Sequence, residues 1–386
     1  MKVPHTRTGR RWSLFCRVVD NFGDIGVCWR LARSLATHHG QHVTLWLDEL
    51  ASLQKLYPRT SLHHDAQQLD GVLVRRWAAP FDDVAKDDVV IEAFACELPD
   101  QVLVAMAARP TPPVWINLEY LSAEAWIEGC HRLPSPHPVL PLRRHFFFPG
   151  FSAATGGLLR EPDLLERRDY MRGDPAGRKE FLAGLIGRTP TPGASVISLF
   201  CYEQSALSAL LSVWAASQPP VELLVPDGRV VADVARHFGH VRLGVGEQLQ
   251  DRALSVTVLP FVDQDRYDRL LWSCDINFVR GEDSFVRAQW AARPFVWHIY
   301  RQAESAHEVK LDAFLQRFLH GAPAPLAAAV TTFWRAWNGS GDVARAWLEF
   351  AAALPQFAQH CECWSAELGA RQDLAEGLLN FVETGV

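Results

Sequence analysis

Short apolar runs, each followed by a stretch with helical spacing, recur in two series along this chain and constrain its fold more than any other feature. In the first half the runs are residues 12–20, 42–47, 72–77, 89–94 and 114–118, and they read as buried parallel strands. Between the first two, residues 25–38 hold Val27, Leu31 and Leu35 at helical spacing, which makes a strand–helix–strand unit. Residues 160–193 turn polar and rich in charge, Gly and Pro, as a domain boundary should. The pattern then restarts, with strands expected at 195–200, 221–225, 256–259, 276–279 and 295–299 and helices at 205–216 and 264–273. Residues 306–386 read as helical throughout, with breaks near Pro323, at 338–341 and near Pro355. Alternation of this kind predicts an α/β chain of two Rossmann-like domains facing a cleft. The expected bounds are 1–175 and 190–360, with 361–386 as a helix packing back on the first domain.

The bulk numbers exclude several function classes. At 386 residues the chain is long enough for two cores. A formal net charge of -6 and a pI near 6.2 offer no global basic surface for nucleic acid or an anionic membrane. Lys2, Arg7, Arg10 and Arg11 precede an apolar stretch interrupted by Arg17, too short and polar for a signal, so the start reads as a frayed arm. No run approaches the roughly 20 apolar residues that span a bilayer. The eight cysteines are scattered, which suits reduced thiols in a cytoplasm. Only Cys361 and Cys363 lie close, without a second pair at zinc spacing, so no metal is expected.

Two segments carry chemistry. The first runs DNFGDIG from Asp20 to Gly26, where strand one gives way to the first helix. That is the edge at which open α/β sheets bind ligands, and it lacks the Gly-x-Gly-x-x-Gly pattern of a dinucleotide enzyme. Asp20 and Asp24 converge there; Asp24 is equally suited to capping the helix, whereas Asp20 sits too early to do so. The second segment runs from Asn277 to Ala288, again strand, tight turn, helix. Arg280, the Ser284 hydroxyl and the free amides of a helix beginning at Ser284 suit a diphosphate. Glu282 and Asp283 beside a phosphate would bind hydroxyls instead; an ordinary capped helix with Arg280 pairing Glu282 fits this segment as well. Phe200, Tyr202 and Phe261 can wall a base, although aromatic residues at strand ends are more often core, and the Gln264 amide can read a pyrimidine edge. Asn117, Glu119 and Tyr120 can line the acceptor side or buttress the strand. No histidine shows a triad partner, and no nucleophile elbow or Walker loop is present.

From Asp20 to Arg33 the chain resembles the EarP family, bacterial protein-arginine rhamnosyltransferases acting on elongation factor P. The runs 117–124, 146–151, 200–203 and 278–285 resemble it in the family's order, so the likeness extends from about residue 12 to the end, least specifically in the helical tail. It implies a glycosyltransferase B fold, an N-terminal acceptor domain, a C-terminal domain holding dTDP-β-L-rhamnose, and inversion at the anomeric carbon without metal or other cofactor. By the same resemblance Asp20 is the general base and Asp24 its essential neighbour. Phe200, Tyr202, Phe261 and Gln264 then fall on nucleotide and sugar, and Arg280, Glu282, Asp283 and Ser284 on diphosphate and sugar. The expected partners are elongation factor P and the donor, not nucleic acid or membrane. The alternatives are a glycosyltransferase with another donor or acceptor, and a non-catalytic docking protein for the translation factor.

Overall fold

The computed structural model describes residues 9–18, 22–78, 81–301 and 306–384, the side chains of residues 82 and 83 excepted. These fall into two compact units, one running to Pro162 and taking up the chain again from Ala370, the other Asp163–Gly369. The sequence reading set its boundary between 175 and 190, within a stretch that forms the helices Leu164–Arg172 and Pro175–Ile186. Their charge is used inside the second unit: Arg178 donates to the Ser273 carbonyl at 2.7 Å and meets Asp275 at 2.8 Å. Arg168 likewise donates to the Trp290 carbonyl and to Ser365 Oγ, each at 2.9 Å.

The first unit holds β1 (Arg11–Cys16), β2 (His42–Leu47), β3 (Ala66–Leu69), β4 (Val72–Arg76), β5 (Val89–Ala93), β6 (Val114–Leu118), β7 (Pro134–Pro136) and β8 (Arg143–Phe147). They form one sheet in the order β3-β4-β2-β1-β5-β6-β8-β7. The six inner strands are parallel, while β3 and β7 pair antiparallel at the two edges. The expected strands are the fully buried ones; β3, β7 and β8 escape a search for apolar runs because their residues are polar or partly exposed. The run expected at 12–20 is a strand only to Cys16, and residues 19–21 lie outside the described residues. The following helix spans Gly23–Arg33 and widens into a π-helical turn at Ser34–His38. Beneath the sheet, Phe15 stacks on Trp46 at 5.5 Å, and burying a side chain such as Phe15 contributes about 2–3 kcal/mol. The closing helix Leu374–Glu383 belongs to this unit, with Phe381 set 5.8 Å from Phe147 and Asp373 capping its first turn through the Glu376 amide. Its entry passes so close to Gly157 that a Cβ there would lie 2.3 Å from the Gln372 carbonyl oxygen.

The second unit holds β9 (Ser195–Leu199), β10 (Val221–Pro226), β11 (Gln248–Asp251), β12 (Leu254–Leu259), β13 (Ile276–Arg280) and β14 (Phe295–His298). Their order is β11-β12-β10-β9-β13-β14, parallel except for the edge strand β11. Helices Ala306–Phe318, Ala324–Trp337 and Val343–Gly369 pack here through aromatic contacts such as Phe278–Trp337 at 4.8 Å and Trp214–Trp347 at 5.3 Å. The break expected at Pro355 is absent: this proline sits inside the helix Val343–Gly369. It is exposed there, and packing by Phe350, Phe357 and Trp364 on the opposite side holds the helix together across it.

In each unit the parallel strands run outward in both directions from a central pair, β1 and β5 in the first and β9 and β13 in the second. Such a reversal leaves a crevice outside the carboxyl ends of the two strands, where open α/β sheets bind ligands. Both motifs singled out from the sequence follow one of these strands. Among the described residues no helix is long and apolar enough to cross a membrane.

Candidate functional site

In the second unit β13 ends at Arg280, Gly281 turns the chain at φ +61°, and the helix Asp283–Trp290 begins. A positive φ there favours glycine, and the turn aims the first amides of the helix out of the sheet edge. Arg280 is buried, and its guanidinium carbon lies 4.7 Å from the ring centroids of both Phe200 and Tyr202. Its Nε has no hydrogen-bond partner among the described residues. Buried guanidinium N–H groups ordinarily find an acceptor, and an anion could supply one here.

The Ser284 hydroxyl does something other than expected: it donates to the Arg280 carbonyl and accepts from the Arg280 amide at 3.1 Å. Ser284 therefore closes the turn, and the first amides of the helix remain as its free donors. Glu282 occupies the N-cap position without a side-chain cap, and the helix starts at Asp283, one residue earlier than the sequence reading. Gln264 opens the helix Gln264–Ser273 and donates to Asp283 at 3.2 Å, which joins the loops after β12 and β13. Phe261, half-buried, lies in the same loop after β12. Phe200, Tyr202, Phe261, Gln264, Arg280, Glu282, Asp283 and Ser284 thus gather at one sheet edge.

Two further residues stand there that the sequence reading did not assign to the site. His298 ends β14 with its ring 5.4 Å from Tyr202, and burial, with Arg301 and Arg280 nearby, pulls it down to about 3, so the imidazole is neutral. Tyr300, half-exposed, lies 5.5 Å from Tyr202. Their signal was positional, since His298 ends and Tyr300 follows a parallel strand at the same edge as Arg280.

In the first unit Asp20 lies outside the described residues. Asp24 is buried in the first turn of the helix Gly23–Arg33, where a negative charge complements the helix dipole. The N-cap position is Phe22, so Asp24 is not the capping residue. Close by, burial pushes the Cys28 thiol up, reinforced by its hydrogen bond with Cys16 and the charge of Asp24. Arg30, from the same helix, is buried against Glu161 at 3.3 Å. At the end of β6, Asn117 donates to Glu119 at 2.5 Å, and after the strand Tyr120 stacks on Phe94 at 4.4 Å. Among the described residues no group of three or more His, Cys, Asp or Glu is placed to hold a metal ion.

The family model described as "Elongation-Factor P (EF-P) rhamnosyltransferase EarP" matches residues 12–383. The chain is 52% identical over 370 residues to a protein-arginine rhamnosyltransferase of Pseudomonas aeruginosa, covering 96% of this chain and 98% of that one. The Pseudomonas putida protein of the same name is equally similar, at 52% identity and the same coverage. A solved structure from work on the structural basis of EarP-mediated arginine glycosylation of translation elongation factor EF-P aligns with a TM-score of 0.72 at 38% identity, over 98% of this chain and 100% of that one. A spinosyn rhamnosyltransferase, SpnG, complexed with thymidine diphosphate shares the fold at 12% identity and a TM-score of 0.50, over 97% and 100% of the two chains. The fold is of the glycosyltransferase B type, and the chain belongs to the EF-P rhamnosyltransferase family.

Proposed function

We propose that this enzyme moves L-rhamnose from dTDP-β-L-rhamnose to an arginine side chain of elongation factor P, with inversion at the anomeric carbon and without a metal. The observation that carries the reading is Arg280, a buried guanidinium 4.7 Å from each of two aromatic ring centroids and just before the helix that begins at Asp283, on a family match that spans 12–383. A fixed cation beside free helix amides suits a diphosphate leaving group.

In this reading the first unit handles the acceptor and the second the donor. An arginine guanidinium stays charged at any working pH and is a weak nucleophile, so a carboxylate must orient it and take its proton as the bond forms. Asp20 has that role and Asp24 steadies it. The acceptor nitrogen bonds to the anomeric carbon, the bond from that carbon to the diphosphate oxygen breaks, the proton goes to the Asp20 carboxylate, and dTDP leaves toward Arg280 and the amides of the Asp283 helix. Phe200, Tyr202, Phe261, Gln264, Glu282 and Asp283 hold nucleotide and sugar, with Ser284 fixing the turn that carries Arg280. The neutral state of His298 adds no competing cation beside Arg280.

The test is the intact mass of purified elongation factor P after incubation with the enzyme and dTDP-β-L-rhamnose. A gain of one deoxyhexose with the wild type, lost with Asp20→Asn, supports the reaction and the base. No gain with either refutes the donor or the acceptor, and equal gain removes Asp20 from catalysis.

A further inference from the structure

The crevice outside β1 and β5 has a wall that the donor chemistry does not use. Directly after β5, Phe94, Ala95 and Glu97 adopt φ values of +58°, +51° and +56°. Left-handed backbone costs a residue with a Cβ about 1–2 kcal/mol, so the tertiary structure holds this loop in place. Asn117 does part of the holding: its Oδ1 accepts from the Ala95 amide at 3.1 Å while its Nδ2 donates to Glu119 at 2.5 Å. The loop sets Phe94 4.4 Å from Tyr120, with the rings 16° from parallel, and Tyr120 is 41% exposed.

Beside this stack the carboxyl groups outnumber the cations that pair with them. Arg144 pairs with the buried Glu92 at 2.5 Å and lies over the Trp115 and Phe146 rings. Glu119 is half-buried, and its acidity is weakened by burial, with hydrogen bonding from Asn117 and the charge of Arg144 only partly opposing that. Two carboxyl groups, Glu92 and Glu119, thus stand beside the one guanidinium of Arg144. A half-buried carboxylate next in sequence to an exposed aromatic face is stabilised by a cation that is also planar.

We propose that Glu119 and the Phe94–Tyr120 stack form the seat of the acceptor side chain, Glu119 accepting two N–H bonds of its guanidinium and the stacked rings lying against its plane. This rests on the reading that the acceptor is an arginine. The seat is a specificity device: a lysine ammonium has neither the fork that matches Glu119 nor the plane that matches the rings. It also fixes which guanidinium nitrogen is presented to the sugar.

A double-mutant cycle on the full-length enzyme tests this, with binding of elongation factor P measured calorimetrically in the presence of dTDP. For wild-type enzyme, replacing the acceptor arginine with lysine or alanine should weaken binding at least tenfold. With Glu119→Gln that penalty should shrink to threefold or less, and Tyr120→Leu should shrink it in part, while dTDP affinity and melting temperature stay at wild-type values. A misfolded variant would lose the last two, and the other variant then carries the test. An undiminished acceptor penalty in both variants overturns the seat. If the wild-type enzyme modifies elongation factor P and the cycle still shows no coupling, the seat alone is wrong. If it neither binds nor modifies that protein, the acceptor reading falls and the seat with it.

Discussion

Arg287 and Asp268 form a bidentate pair, with Nε to Oδ1 at 2.8 Å and Nη2 to Oδ2 at 2.7 Å, and both side chains are no more than 2% exposed. The pair ties the helix Gln264–Ser273 to the helix Asp283–Trp290, whose first residues carry the Gln264–Asp283 contact. Arg287→Met leaves a buried carboxylate without its guanidinium, and such a loss costs about 3–5 kcal/mol. For a unit of this size each kcal/mol moves the melting temperature by about 2–4 °C, so the second unit should melt roughly 6–20 °C lower. The double variant Asp268→Leu/Arg287→Met removes both charges and their desolvation together, and should recover most of that loss. Calorimetric melting of wild type, both single variants and the double variant, with and without saturating dTDP, supplies the cycle. The ligand-induced shift should be smaller in Arg287→Met, because the spacing of the two helix starts relaxes. Single losses that simply add in the double variant would refute the coupling, and an unchanged dTDP shift in Arg287→Met would refute its link to the donor site.

Asp87, which accepts from Ser13 at 2.5 Å, is raised by burial from 3.8 to about 6. It therefore contributes stability that is fully present below about pH 4 and lost as pH rises through 6. Relative to Asp87→Asn, the wild type should lose roughly 2–3 kcal/mol in urea unfolding between pH 4 and pH 7, and parallel stability curves would contradict this. Among the cysteines only Cys363 is exposed and Cys130 half-buried, and burial pushes Cys96 up to about 12. A chromogenic thiol reagent should label Cys363 promptly, Cys130 more slowly and the six buried thiols only on unfolding. Rapid native labelling of Cys16, Cys28 or Cys96 would show that the edge beyond β1 opens.

Ten apolar runs and their helical partners were legible because burial on both faces of a parallel sheet writes a local, near-continuous apolar signal. The edge strands β3, β7 and β11 write no such signal, since one side of each meets solvent. The turn from Arg280 to Asp283 was legible for the same local reason: strand, glycine and helix start lie within a few residues. Pro355 misled because a local rule about helix breaking was overridden by distant packing.

By itself, then, the sequence determined the doubly repeated α/β order and which short segments carry carboxylates, a cation and aromatic rings. Only the tertiary structure decided that β1 and β5, and likewise β9 and β13, are the central pairs, so that each motif follows a strand of such a pair. It also decided that the Ser284 hydroxyl closes its own turn and that Asp24 lies inside its helix. Pairings such as Glu92 with Arg144 and Asp268 with Arg287 belong to it too. Periodicity reports on neighbours within a turn or two of the chain, whereas partners 52 or 19 residues apart are chosen by the folded sheet and its helices.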